Sequence, residues 1–332
     1  MNSLWFINPN RNDKFSKLNK LELHELLTKL DNFYLTYREN LDLPETISFG
    51  VELEYQNISN EKVKEYLKNH LSTWKFVEEK TLEKGGEINS PIMFDKINYW
   101  KELKKICEYL KQNNANVDTG ASTHVHVGVQ TLGSNIDNWR KFIKSYIVYE
   151  SILSRFFYGD KINARVTLMD YAYPIADILY TEIDELNKLK NIEDMIYLIP
   201  RRQFQAIDFR KIKFYDLDKI RELNTLEFRS PNGTKEEIIC QNNINAITKL
   251  LLSTKKDMID EEYLDYKLNN ERITSTNNYS MYSNMNLDLA LEFVDMIFDN
   301  NIDKVYFLRQ YIKDKKEYIN ADEAIYSKKF IK

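Results

Sequence analysis

Two of the four histidines in this chain, His124 and His126, stand one residue apart in the stretch THVHVG. Residues i and i+2 of a β-strand share a face, so both imidazoles would project to the same side. Three other short stretches repeat the pattern with charged groups. In GVELEYQ, Glu52, Glu54 and Gln56 oppose Val51, Leu53 and Tyr55, and in GEINS, Glu87 and Asn89 oppose Ile88. In LEFRS, Glu227 and Arg229 oppose Leu226 and Phe228. On the histidine strand, His124, His126, Gly128 and Gln130 oppose Val125, Val127 and Val129. The plain reading is the solvated side of an antiparallel sheet. Against it, none of the four polar faces carries a lysine, although lysine is plentiful in the chain. If the strands are neighbours, the glutamates repel one another, and that charge is tolerable only with bound cations or raised pKa values.

The residue types narrow the choice of cation. Zinc favours histidine and cysteine in fours. The remaining histidines, His24 and His70, fall on separate amphipathic helices and read as exposed helix residues. A metal-dependent (Zn) hydrolase built on His124 and His126 therefore lacks its other ligands. Oxygen ligands in excess point to Mg2+ or Mn2+, hard ions recruited together with phosphates. The chain has no GxxxxGK[ST] loop. A nucleotide would have to be held by the ions and by arginines.

The elements that must position these groups follow from periodicity. ISFGVELEYQ, TWKFVEE and GGEINSP read as strands, the last two around a turn containing Gly85-Gly86. VDTGASTHVHVGVQ reads as a loop and a strand, and QAIDFRKI and TLEFRSPNG as two more strands. Apolar residues at helical spacing predict helices over 17–40, from Ser59, over 98–114 and over 135–158. The stretch 172–199 is mostly helical, and later helices run near 235–258, 284–298 and 301–318. Helices alternate with strand pairs on short connections, which predicts an α+β fold on a mainly antiparallel sheet. The formal net charge of −4, with both signs interleaved, gives no sign of a nucleic-acid-binding surface. The first ten residues are too short and polar for a signal peptide, and no apolar run approaches the ~18 residues that span a membrane. A soluble, cytoplasmic protein is expected, with Cys107 and Cys240 as buried free thiols.

FGVELE, EEKTLEKGGEINSP, THVHVG and TLEFR followed by NGT, in that order, resemble the amidoligase family over roughly Ile47 to Lys256. That family is a branch of the carboxylate–amine ligase superfamily, with glutamine synthetase and the glutamate–cysteine ligases. The resemblance implies a glutamine synthetase-like sheet bent into a funnel and backed by helices. It makes Glu52 and Glu54 ligands of two metal sites and Glu87 a further ligand. It puts His124 and Glu227 on the ion nearest the transferred phosphate, and His126 and Arg229 on phosphate oxygens. Glu79-Lys80-Thr81-Leu82 stands where the family has Asp-Gly-Ser-Leu, and Gln203-Phe204-Gln205-Ala206-Ile207-Asp208 where it has an Arg-aromatic-x-Ala-x-Asn element. Arg202 and Arg165 are the candidates for that missing guanidinium.

The implied activity is an ATP-dependent ligation of a carboxylate and an amine through an acyl phosphate, with two or three Mg2+ or Mn2+ ions. The substrates would be an amino acid, a peptide or a protein side chain, with no role for nucleic acid or membrane. The expected organisation is a helical extension over 1–44, a catalytic domain over 45–258 and a helical region over 259–332. A Zn hydrolase and a non-catalytic peptide- or protein-binding module are the alternatives.

Overall fold

A computed structural model describes residues 5–82, 84–117, 120–157, 171–179, 181–199, 204–256, 258–270 and 285–312. Six strands lie in one sheet: β1 (Phe49–Gln56), β2 (Lys75–Val77), β3 (Gly85–Asn89), β4 (Thr123–Gly128), β5 (Ile207–Asp208) and β6 (Thr225–Phe228). Their order is β2-β3-β1-β4-β6-β5, and every neighbouring pair is antiparallel. The strands alternate with helices α1 (Lys20–Leu30), α2 (Asn60–His70), α3 (Ile97–Gln112), α4 (Ile136–Phe156), α5 (Ile175–Leu179), α6 (Ile183–Lys188) and α7 (Ile192–Tyr197). After β6 come α8 (Glu237–Lys255), α9 (Glu261–Asn270), α10 (Leu287–Ile297) and α11 (Asn301–Ile312). The arrangement is α+β, as the sequence predicts.

The apolar half of each strand explains where the helices sit. Val51, Leu53, Tyr55, Val125, Val127, Leu226 and Phe228 are all buried. Phe49 stacks on Trp100 of α3 with ring centroids 5.1 Å apart, and Phe228 meets Phe142 and Tyr146 of α4 at 6.2 and 6.1 Å. Burying one such side chain is worth ~1.5–3 kcal/mol. A one-residue slip would turn every one of them to the other face, so the apolar half locks the register of the polar half. Helix α8 is buried from Glu237 to Thr254 and forms the centre of the helical layer. Its Asn242 donates to Tyr306 O and Gln310 Oε1, and its Asn245 to Asp303 Oδ1, which fastens α11 to it.

Four local expectations are corrected. The helix expected over 17–40 is confined to Lys20–Leu30, opened by a capping box of Asn19 and Glu22. Beyond it the chain runs without helix, yet Phe33 and Leu35 stay buried. Tertiary hydrogen bonds hold this backbone: Arg309 Nε donates to Phe33 O at 2.7 Å, and Arg38 N donates to Gln241 Oε1 at 3.1 Å. Gly85 and Gly86 are not in a turn but in β3, opposite Gln56 and Tyr55. A Cβ on Gly85 would stand 2.0 Å from Tyr55 O, so the close approach of β3 to β1 requires glycine there. The strand expected over QAIDFRKI keeps only Ile207 and Asp208. Gln130 is not on the sheet face; it lies in a 3-10 turn after Gly128 and donates to Ser48 Oγ. The C-terminal part of the helix expected over 301–318 lies outside the described residues beyond Ile312.

Candidate functional site

The register brings the charged groups together in rows across the sheet. Glu87 lies opposite Glu54, and Asn89 opposite Glu52, which in turn lies opposite His124. His126 lies opposite Glu227, and Glu227 opposite Asp208. Glu54, Glu87, His124, His126 and Glu227 are all less than a tenth exposed. This is not a wetted strand face.

His124 is the hub. Its Nδ1 lies 2.9 Å from Glu52 Oε2 and 3.4 Å from Glu227 Oε1, and its Nε2 lies 2.9 Å from Ser122 Oγ and 3.8 Å from Glu54 Oε1. His126 Nδ1 is 3.0 Å from Thr225 Oγ1. Its Nε2 is 2.9 Å from Glu52 Oε1 but out of line for a hydrogen bond. Glu54 Oε2 accepts from Ser122 N at 2.6 Å. Arg229 donates Nη1 to Glu227, whereas its Nε is buried with no hydrogen-bond partner among the described residues.

These contacts set the charges. Burial opposes ionisation of Glu52, but its hydrogen bond with His124 and the close approach of His126 outweigh it and hold the carboxyl far below the usual range. Glu227 is likewise held down to about 2, burial being overcome by His124, His126 and Lys211. Burial disfavours a charged His124, but its bond to Glu52 and the charges of Glu227 and Glu54 leave its pKa raised. At Glu87 the opposing pull of His124 and Asn89 is too weak. Burial, then the charge of Glu52, push it up to about 7. The expected choice between bound cations and raised pKa values is thus divided among the glutamates.

Among the described residues two groups of donors could hold metal ions: Glu52, His124 and Glu227, and Glu54, Glu87 and His124, the ligand atoms of each lying within 4.8 Å of one another. Their chemistry fits hard divalent ions, with one imidazole shared between two carboxylate pairs. A neutral imidazole has one free lone pair, so His124 serves one group at a time. The shorter distances favour Glu52 and Glu227. His126 belongs to neither group. The orphaned Arg229 Nε and the misaligned His126 Nε2 are buried polar atoms that a ligand could satisfy. Beside His126 opens a cleft of about 510 Å3 lined by Glu52, Asn89, His126, Arg221 and Thr225.

Among the sequence-predicted residues, Glu52, Glu54, Glu87, His124, His126, Glu227 and Arg229 converge. Arg165 and Arg202 lie outside the described residues. His24 and His70 are exposed on α1 and α2, as expected. Cys107 and Cys240 are buried free thiols. Sequence reasoning missed Lys211, whose Nζ sits 2.7 Å from Glu227 Oε2, and Asp208, bound bidentately by Arg210. Asp208 was legible from strand alternation next to Ile207. Lys211 was not, because it reaches the face from the chain beyond β5.

Comparison with known proteins agrees with this chemistry. A family model described as "Putative amidoligase enzyme" matches residues 71–251, more than half of the chain. The match contains Glu87, His124, His126, Glu227 and Arg229; β1, with Glu52 and Glu54, precedes it but lies at the centre of the same sheet. No curated protein matches the chain. Among the described residues no helix is long and apolar enough to cross a membrane. The chain belongs to the amidoligase family.

Proposed function

We propose that the chain is an ATP- and Mg2+-dependent carboxylate–amine ligase that forms an amide, peptide or isopeptide, through an acyl phosphate. The observation that carries this reading is the convergence of two carboxylate-rich donor groups on His124, beside the half-buried Arg229, in a member of the amidoligase family. Family membership speaks for an amide-bond-forming ligase acting on a carboxylate and an amine. The donor chemistry speaks for the cofactors. The funnel shape of glutamine synthetase and a cytoplasmic location belong to the same proposal.

A carboxylate is inert to amines at neutral pH because oxide is a poor leaving group. Attack of the carboxylate oxygen on the γ-phosphorus of ATP gives an acyl phosphate and ADP. The amine then adds to the acyl carbon, phosphate leaves, and the amine gives up a proton. Bound Mg2+ would neutralise the phosphate oxygens and orient them. Glu52, His124 and Glu227 would hold one ion, and Glu54 and Glu87 a second. Arg229 stands next to Glu227 and would reach the oxygens of the transferring phosphoryl group. His126, fixed through Thr225, would donate to phosphate.

Acyl phosphates react with hydroxylamine to give hydroxamates. With ATP, Mg2+ and hydroxylamine, a panel of amino acids and peptides should yield hydroxamate and ADP in equal amounts. ADP release at full rate in the absence of any carboxylate, with no hydroxamate from any of them, would contradict a ligase. The geometry favours the ligase over a Zn2+-dependent hydrolase built on both histidines, since neither donor group among the described residues contains His124 and His126 together.

A further inference from the structure

Lys211 reaches this face from outside the charged strands. It follows β5 by three residues and reaches back over the sheet. Its ammonium lies 2.7 Å from Glu227 Oε2 and 3.8 Å from Glu52 Oε1. Arg229 holds the other oxygen of Glu227, and His124 Nδ1 lies 3.4 Å from it. Both Glu227 oxygens are therefore already paired with cations, on a carboxylate that is buried.

A divalent ion bound by Glu52, His124 and Glu227 needs lone pairs on the same two carboxylates that Lys211 occupies. A single oxygen offers few lone-pair directions, and a buried one has no solvent to redistribute them. The ammonium and the ion therefore compete. The side chains differ in how easily they can leave. Lys211 is 32% exposed on a flexible four-carbon stem, whereas Arg229 is 17% exposed and His124 5%. A displaced ammonium at this position remains beside the ion, where it meets an anion brought to that ion. A compact point charge of this kind suits phosphate oxygens.

We propose that Lys211 is an exchangeable cation of the site: it neutralises Glu52 and Glu227 until a divalent ion takes their oxygens, and then contacts the phosphate group that the ion recruits. This inference rests on the proposed function for its phosphate ligand. It assigns to Lys211 a role that no strand-face argument supplies.

Inorganic triphosphate tests the phosphate contact without adenine and without turnover. Mn2+ binding would be followed by electron paramagnetic resonance, and triphosphate binding by calorimetry at saturating Mn2+, for the wild type, Lys211→Met and Lys211→Arg. Lys211→Met should bind Mn2+ alone about tenfold more tightly and triphosphate about tenfold more weakly, the scale of one charge-assisted hydrogen bond gained or lost. Lys211→Arg keeps the charge and the fold, and should stay within about threefold of wild type for both ligands. Mn2+ affinity unchanged or lowered in Lys211→Met, triphosphate affinity unchanged in it, or no Mn2+ binding by the wild type would each overturn the proposal. If all three proteins behave as stated but no hydroxamate forms with any carboxylate, the ligase reading fails and the role of Lys211 stands.

Discussion

Two substitutions of the same chemistry, Glu87→Gln and Glu227→Gln, should change stability in opposite directions. Each removes a charge and keeps the volume. Glu87 is lifted to about 7 from an unfolded value of 4.5, by burial and by Glu52. A carboxyl with a raised pKa costs stability as pH climbs from the unfolded value to the folded one, and the full cost remains above that. Glu227 is held down to about 2 from the same 4.5. It contributes stability that is fully present above the unfolded value and lost as pH falls through the folded one. At ~1.36 kcal/mol per pKa unit, each effect is on the order of 3 kcal/mol at pH 8. An unfolding entropy of about 2.1 cal/mol/K per residue over 332 residues converts this to ~4 °C in melting temperature. With a chelator at pH 8, Glu87→Gln should therefore melt higher than wild type and Glu227→Gln lower. At pH 4 the Glu87 difference should vanish, because the group is protonated in both states, and most of the Glu227 difference should persist. Thermal melts at the two pH values measure both. A Glu87→Gln protein that melts below wild type at pH 8, or two shifts of the same sign, would refute this division of charge.

Three further outcomes follow from the geometry. Glu54→Gln keeps an acceptor for Ser122 N and removes a ligand charge, so ATP-dependent turnover should fall at least about a hundredfold while the melting temperature moves by less than about 3 °C; turnover within tenfold of wild type would exclude Glu54 from the ion site. Arg229→Ala should lower kcat by ~10²–10³ and Arg229→Lys should restore little of it, the scale of one lost bidentate donor; full kcat in the lysine variant would remove Arg229 from the phosphate. Glu150, buried and raised to about 8 while accepting from Ile175 N and Ala176 N, should make wild-type stability decline between about pH 4.5 and 8, and Glu150→Gln should flatten that decline in denaturant titrations.

The polar face was legible because strand alternation is a rigid rule. Once Val51, Leu53, Val125, Val127, Leu226 and Phe228 are assigned inward, Glu52, Glu54, His124, His126 and Glu227 have nowhere else to point. Strand order was not legible, since hydrogen bonding between distant segments leaves no local trace; the pairings of Glu54 with Glu87 and of His126 with Glu227 come from the structure. The helix expected over 17–40 failed for the same reason. Apolar spacing there reports burial, but Arg309 and Gln241, far along the chain, hold that backbone out of helix. Lys211 shows the limit for site residues, because its contact with Glu227 depends on the path of the chain after β5 and on no spacing within a strand.

The claim that this sheet face holds a nucleotide through divalent ions is tested most directly by melting the wild type with Mg2+, with ATP, with both and with Zn2+. A ligand at a hundredfold excess over its Kd stabilises the folded state by ~2.7 kcal/mol, a shift of roughly 4 °C for 332 residues. Mg2+ and ATP together should produce that shift, each alone should do little, and Glu227→Gln should abolish it. A shift with Zn2+ alone, or no synergy between Mg2+ and ATP up to millimolar concentrations, would contradict the account.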